Sequence, residues 1–579
     1  MLFVSARMLA STSVDVGKLL HVRVPMRDGI HLDTNIYHPA GVGRYPTILL
    51  RTPYGKGDDL PAGYVSFIKH GYAVVMQDVR GRSQSEGVFD ALEQEGPDGY
   101  DTLAWIARQP WSDGKEGMIG GSYLGIAQWK VALLNSPYLK AIFPVVSGDD
   151  DYLDRFYSPG GAMKLGHRLL WLSENLKEAG FPRPDFRSYI YHLPLRTSDK
   201  VAAGQTLHLY QEALNHPVYD SFWKGLSVRE KLDRVHVPVF SVGGWYDNYV
   251  ESDLAAFSAL TKGSKGGDSH RIMIGPWPHN MSVKFEGIDF GDDASAPVRA
   301  YQIEWFDHWL KGSPELGHHH PLGGWHETRS EVAEAPVEIF VMGINRWRDE
   351  QEWPLARARF KPLYFDGKGH ANGAKTDGAL EWELPRKNKQ DAYTYDPKNP
   401  APTQGGAVCC NPKVFPWGPM DQRPVEQRDD ILVYTSKPLS REMEVTGPIR
   451  AVVYVSTSAP DTDFTAKLVD VFPNGEARNL TDGILRLRYR SGLDKAVLAK
   501  PGEVYPITIE LYPTSLLFQK AHRIRVDISS SNFPRFDVNP NTGEPLNDNR
   551  RTAIAMNTIY HDVEHPSNIV LPVVPKSND

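Results

Sequence analysis

Apolar residues follow two different rhythms along this chain, and the change between them divides it. The stretch "VRVPMRDGIHLDTNIYHP" alternates apolar and polar positions around Arg27-Asp28-Gly29, which predicts a hairpin. Ile48, Leu49 and Leu50 then form an unbroken run suited to a strand buried on both faces, ending at Arg51-Thr52-Pro53-Tyr54-Gly55. Val65, Phe67 and Ile68 suit a helix ended near Gly71, and "YAVVMQD" makes a second buried strand. Leu103, Ile106 and Ala107 recur at helical spacing between Tyr100 and Trp111. Gly117, Met118 and Ile119 lead into a glycine-rich corner, Ile126 to Leu134 suit a helix, and Ile142 to Val146 close another strand. Strands alternating with helices predict an α/β domain with a largely parallel sheet.

From about Asp149 to Trp223 aromatic and basic residues stand at irregular or helical spacing, as in a helical insertion over the sheet. The strand signal returns at Val237–Val242 and Arg271–Ile274, and a helix through Trp305, Phe306, Trp309 and Leu310 runs to Gly312. After that, "VEIFVMG", "DILVYTS", "IRAVVYVST", "FTAKLVDVF", "PITIELY" and "HRIRVDISS" are short β-rich runs split by turn residues, the pattern of a sandwich or jelly roll. The division expected is residues 1–148 and 233–334 for the α/β part, 149–232 for the helical cap and 335–579 for the β domain. Residues 396–428, rich in proline and glycine yet carrying Phe415 and Trp417, predict a long ordered loop.

At 579 residues the chain exceeds one core, and a formal charge of −7 without a long basic run disfavours nucleic acid. Hydrophobic residues at 41% and charged residues at 23% fit a soluble protein with no membrane span. Residues 1–11 reach Arg7 before any apolar core long enough for a secretory signal, so a cytoplasmic protein is expected. The two cysteines, Cys409 and Cys410, are adjacent; they cannot form a framework of bridges and are expected as two small buried side chains.

The candidate chemistry centres on Gly120-Gly121-Ser122-Tyr123-Leu124-Gly125. A strand turning sharply into a helix through small residues lifts a serine out of the sheet beside backbone N–H groups. The usual elbow has glycine two residues after the serine, whereas here Leu124 stands there and Gly125 follows. A serine needs a base, and the base a third group to fix its tautomer. Sheets of this kind supply them in the order Ser, Asp or Glu, His, each after a strand. Here "GGWYDNY" gives Asp247 and "GPWPHN" gives His279. For the oxyanion, the N–H of Tyr123 is one expected donor, and the phenol of Tyr54 the other, since no HGGG-type stretch occurs.

Together these residues resemble the family of cocaine esterase, α-amino-acid ester hydrolases and X-Pro dipeptidyl-peptidases. Its Gly-x-Ser-Tyr-x-Gly elbow matches Gly120, Ser122, Tyr123 and Gly125, and its Pro-Tyr stretch matches Pro53 and Tyr54. Trp245 to Asp247, Gly275 to His279, "FYSPGGA" from Phe156 and the "WFDHWLKG" helix also match. Asp78, Arg80 and Gly81 follow the family's Asp-x-Arg-Gly turn, with Ser83 where glycine is common. The resemblance implies an α/β-hydrolase domain with an inserted helical cap and a C-terminal, galactose-binding-like jelly roll. It implies a serine hydrolase with the triad Ser122, Asp247 and His279 and an oxyanion hole from Tyr54 and Tyr123. Arg80 and Asp78 are expected to be structural.

The substrate expected is a small ester or amide. Asp149, Asp150 and Asp151 either face the cleft, where they would pair with a substrate amine, or cap a helix. Phe156, Tyr157 and Trp171 either line an acyl pocket or pack the cap. Release of X-Pro from peptides and hydrolysis of α-amino-acid esters or β-lactams are the enzymatic alternatives. A binding protein on an inactive hydrolase shell is the alternative of another class, disfavoured because Ser, Asp, His and Tyr are all retained. No metal or organic cofactor is implied; His318 to His320 are expected in a solvated loop. Family members often assemble as homo-oligomers, and no interface can be read from the sequence.

Overall fold

The computed structural model of the chain describes residues 16–263, 269–313, 335–373, 376–385, 390–545 and 550–576. His318 to His320 lie outside the described residues. The chain divides into two compact units, Met1–Pro144 with His236–Pro238 and Pro297–Pro321, and Val145–Val235 with Val239–Ala296 and Leu322–Asp579.

In the first unit β1 (Val16–Pro25) and β2 (His31–Pro39) form the expected antiparallel hairpin, closed by Gly29 at φ +86°. β3 (Tyr45–Thr52) pairs in parallel with β4 (Ala73–Asp78) and β5 (Ser112–Gly121), β2 lies antiparallel to β4, and α3 (Tyr123–Ala132) and β6 (Leu139–Val145) follow β5 along the chain. Ile48, Leu49 and Leu50 are buried, as a central strand covered on both faces requires. α1 (Val65–Lys69) stops before Gly71, and α2 (Glu95–Ile106) starts earlier than its apolar spacing suggested. The extra turn is held by Glu95, which accepts from the buried Arg51 guanidinium at 2.6 Å. Arg80 is structural in the same way, bridging Asp98 and Asp28 at 2.6 Å each. The helix Val298–Lys311 lays Phe306 against Gly117 of β5, where even a Cβ would stand 2.3 Å from the ring.

In the second unit β7 (Val239–Tyr246) and β8 (His270–Pro278) are parallel and run further than their apolar cores, taking in Gly243–Tyr246 and Gly275–Pro278. The strand Val337–Val341 continues this sheet: it pairs in parallel with β8 and antiparallel with Arg346–Glu350. This strand lies just past the division expected near Glu334. An apolar strand of five reads alike in a parallel sheet and in a sandwich, and only its partner tells them apart. Helices from α4 (Leu165–Asn175) to Ser221–Leu226 make the inserted cap. Among the described residues, eleven strands from Arg359 to Val574 form the jelly roll. The cap is bonded to it, Gly166 N–H donating to Pro534 O at 2.8 Å and Met163 N–H to Asp537 at 2.7 Å. The loop 396–428 is anchored as expected, Phe415 and Trp417 packing with Leu170 and Val408.

The chain thus has an α/β-hydrolase fold with an inserted helical cap, followed by a jelly roll. Among the described residues no helix is long and apolar enough to cross a membrane. Of the two small buried side chains expected, Cys409 is buried and Cys410 half-buried, and their sulfurs are bonded to each other. Adjacency puts them within reach, and the bridge joins no distant segments.

Candidate active site

Ser122 sits at the turn from β5 into α3 (Tyr123–Ala132) with φ +55° and ψ −122°, a conformation that costs a non-glycine residue about 1–3 kcal/mol. The corner is packed tightly enough to hold it. Gly120, at φ +139°, has room for no side chain, because a Cβ there would meet Leu124 at 2.4 Å. Gln128 fastens the turn from within α3, donating to the carbonyls of Gly120 and Leu124 and accepting from Phe143 N–H. The Tyr123 side chain points into the unit and donates to Glu95 at 2.8 Å, so Arg51, Glu95 and Tyr123 form one buried chain of bonds. Burial pushes both the Glu95 carboxyl and the Tyr123 phenol upward. Tyr123 can thus offer the site only its main chain. Tyr54 differs, being 45% exposed at the end of β3, with its N–H donating to Thr52 Oγ1.

In the second unit Asp247 and His279 follow β7 and β8, and parallel pairing brings them side by side. His279 Nδ1 lies 2.7 Å from Asp247 Oδ2, and Asp247 is 0% exposed. A carboxylate only accepts, so Nδ1 carries the proton and Nε2 is left as the basic nitrogen. The other carboxylate oxygen accepts the N–H of Tyr249 at 3.0 Å, and the Tyr249 ring stands 5.6 Å from the His279 ring. Tyr249 escaped the sequence reading. An Asp whose side chain bonds the N–H two residues on is a common turn, and that spacing was the available signal.

Asp149 and Asp150 are buried and engaged. Asp149 Oδ1 accepts from Arg229 at 3.1 Å; Asp150 caps the helical turn Asp151–Phe156 through Leu153 N–H and accepts from Ser227 and Tyr219 at 2.6 and 2.9 Å. Asp151 pairs with Arg155. Burial raises the Asp149 and Asp154 carboxyls, and Arg229 opposes it. Phe156, Tyr157 and Trp171 are buried within the cap. The Arg168 guanidinium lies over Phe156 at 4.4 Å and Trp171 at 5.5 Å, and the Tyr157 hydroxyl donates to Ala213 O.

Residues 28–281 match the model of the X-Pro dipeptidyl-peptidase (S15) family, and residues 330–570 that of the X-Pro dipeptidyl-peptidase C-terminal non-catalytic domain. Cocaine esterase from Rhodococcus sp. (strain MB1 Bresler) is 37% identical, over 96% of this chain and 98% of that one. The chain belongs to the S15 family. Solved structures similar to this S15 protein include an aminopeptidase from the marine sediment archaeon Thaumarchaeota archaeon, at TM-score 0.85 and 25% identity over 99% of both chains. An α-amino acid ester hydrolase matches at TM-score 0.84 and 26% identity, over 99% of this chain and 98% of that one. Like its S15 relatives, the protein is a serine hydrolase.

Proposed function

We propose that the protein hydrolyses small carboxylic esters through an acyl-enzyme, with Ser122 as nucleophile, His279 as general base and Asp247 as the group that fixes the His279 tautomer. The observation that carries this reading is the 2.7 Å bond from His279 to a carboxylate with no exposed surface. The strained Ser122 corner supports it independently. In the first step Ser122 Oγ attacks the carbonyl carbon while His279 Nε2 takes its proton. The imidazolium, stabilised by Asp247, then protonates the departing alcohol. Water, deprotonated at the same nitrogen, attacks the acyl-Ser122 carbonyl and releases the acid. The negative oxygen formed in each half is assigned to the Tyr123 N–H and the Tyr54 hydroxyl.

Two relatives support an ester substrate by name, the cocaine esterase and the α-amino acid ester hydrolase. Release of X-Pro dipeptides is the second reading, and the family description favours it. It calls for an anchor for a peptide amine, and of the carboxylates considered for that task Asp150 and the Oδ1 of Asp149 are bonded within the protein. The decisive experiment is labelling with a fluorophosphonate followed by peptide mass mapping, beside a panel of p-nitrophenyl esters and X-Pro anilides. The expected result is one adduct, on Ser122, with turnover of esters that Ser122→Ala abolishes. Labelling elsewhere, or wild-type turnover by Ser122→Ala, refutes the mechanism. Anilide turnover exceeding that of every ester moves the function to the second reading.

A further inference from the structure

The cysteine pair has a neighbour that no reading of the sequence supplied. A ring nitrogen of His167, on α4, and the sulfurs of Cys409 and Cys410 all lie within 4.8 Å of one another. His167 is 5% exposed, and its Nδ1 has no hydrogen-bond partner among the described residues. A buried polar atom left so costs about 1–3 kcal/mol, a cost that a bound ligand would remove. The Arg168 and Lys164 cations lie near the ring, and an imidazole ligates metals through an unprotonated nitrogen. On the other side Cys410 packs on the apolar cluster of Leu170, Val408, Phe415 and Trp417.

We propose that Cys409, Cys410 and His167 form a site for a thiophilic divalent cation such as Zn²⁺ or Cd²⁺, open when the Cys409–Cys410 disulfide is reduced. A dithiol reductant delivers two electrons and two protons to the bridge, leaving two thiols and its own disulfide. The cation then releases both thiol protons to solvent, binds the two thiolates and takes the His167 nitrogen as third ligand. Bond lengths of about 2.3 Å to sulfur and 2.0–2.1 Å to nitrogen place tetrahedral donors roughly 3.5–3.8 Å apart, a spacing compatible with three donors this close. Two thiolates cancel the divalent charge, so the filled site is neutral and the adjacent Arg168 and Lys164 do not oppose it. The sequence showed a vicinal pair without further ligands; the third donor comes from the cap, far away along the chain.

The test is binding itself and is independent of the hydrolytic reading. The full chain is reduced with a phosphine under nitrogen, freed of reductant and titrated with Cd²⁺. Because the protein has only two cysteines, any thiolate-to-cadmium charge-transfer absorption reports this pair. The expected result is one Cd²⁺ per chain, with no such absorption in the oxidised protein or in Cys409→Ser/Cys410→Ser. His167→Gln should weaken binding at least about tenfold. Cadmium NMR on the unsubstituted protein should give the shift of two sulfurs and a nitrogen, which keeps the test independent of whether the variant folds. No absorption after reduction, a shift for sulfur and oxygen alone, or unchanged affinity in His167→Gln overturns the proposal.

Discussion

Changing Asp247 to asparagine alters one atom and one charge, and the surroundings dictate which way the new amide must face. Oδ1 accepts the Tyr249 N–H at 3.0 Å, a bond that only the carbonyl oxygen of asparagine can keep. The amide nitrogen therefore turns to His279, where Oδ2 now stands at 2.7 Å. An N–H donor there forces Nδ1 to accept, moves the ring proton to Nε2 and removes the base that Ser122 requires. Two magnitudes can be set against each other. If Asp247 contributed only a charge-assisted hydrogen bond, about 1.5–3 kcal/mol, the loss would be roughly 10- to 150-fold. If it fixes the tautomer, kcat should fall about 10⁴-fold, roughly 5.4 kcal/mol at 1.36 per factor of ten. The assay is the initial rate on a p-nitrophenyl ester for wild type and Asp247→Asn, with circular dichroism to verify the fold. The larger loss is expected. A kcat reduced less than about tenfold would refute the assignment of Asp247 to His279 as its orienting group.

Tyr54→Phe should lower kcat by about 10²- to 10³-fold with little change in KM, as for other oxyanion donors; a change confined to KM would make Tyr54 a substrate-packing residue. Glu116, buried on β5 with neither carboxylate oxygen hydrogen-bonded among the described residues, has its carboxyl raised from 4.5 to about 9, chiefly by burial and further by Asp113. Folding takes up a proton there, so its stabilising effect is complete below about 4.5 and is lost as pH rises toward about 9, at up to about 1.4 kcal/mol per pH unit. Glu116→Gln should flatten the fall in melting temperature over that window, and an unchanged slope would clear Glu116 of the effect. Arg486→Leu removes the buried partner of both Asp463 and Asp537, each 2.9 Å away, and should cost about 3–5 kcal/mol by chemical denaturation; a loss under about 1 would show that those carboxyls protonate without strain.

Much of this architecture can be read from local pattern because the informative positions lie at strand ends. Ile48–Leu50 announces a central strand, and the Asp28-Gly29 turn announces a hairpin, since each depends on neighbours in sequence. Asp247 and His279 follow adjacent parallel strands, so an order rule that reaches only to the strand ends already brings them near each other. The unread features are those made by distance. Arg51, Glu95 and Arg486 look like surface charges in a string of letters and become buried links only when their partners arrive. Val337–Val341 carries no mark of the strand beside it, and nothing near Cys409 in sequence hints at His167.

The backbone at Ser122 separates fitness for folding from fitness for chemistry. Glycine alone would adopt φ +55° there without strain, so Ser122→Gly should unfold at a higher temperature than Ser122→Ala although both are inert as nucleophiles. A descendant relieved of its reaction would gain stability by drifting to glycine at this one position. The proposed nucleophile thus sits where folding alone would favour glycine.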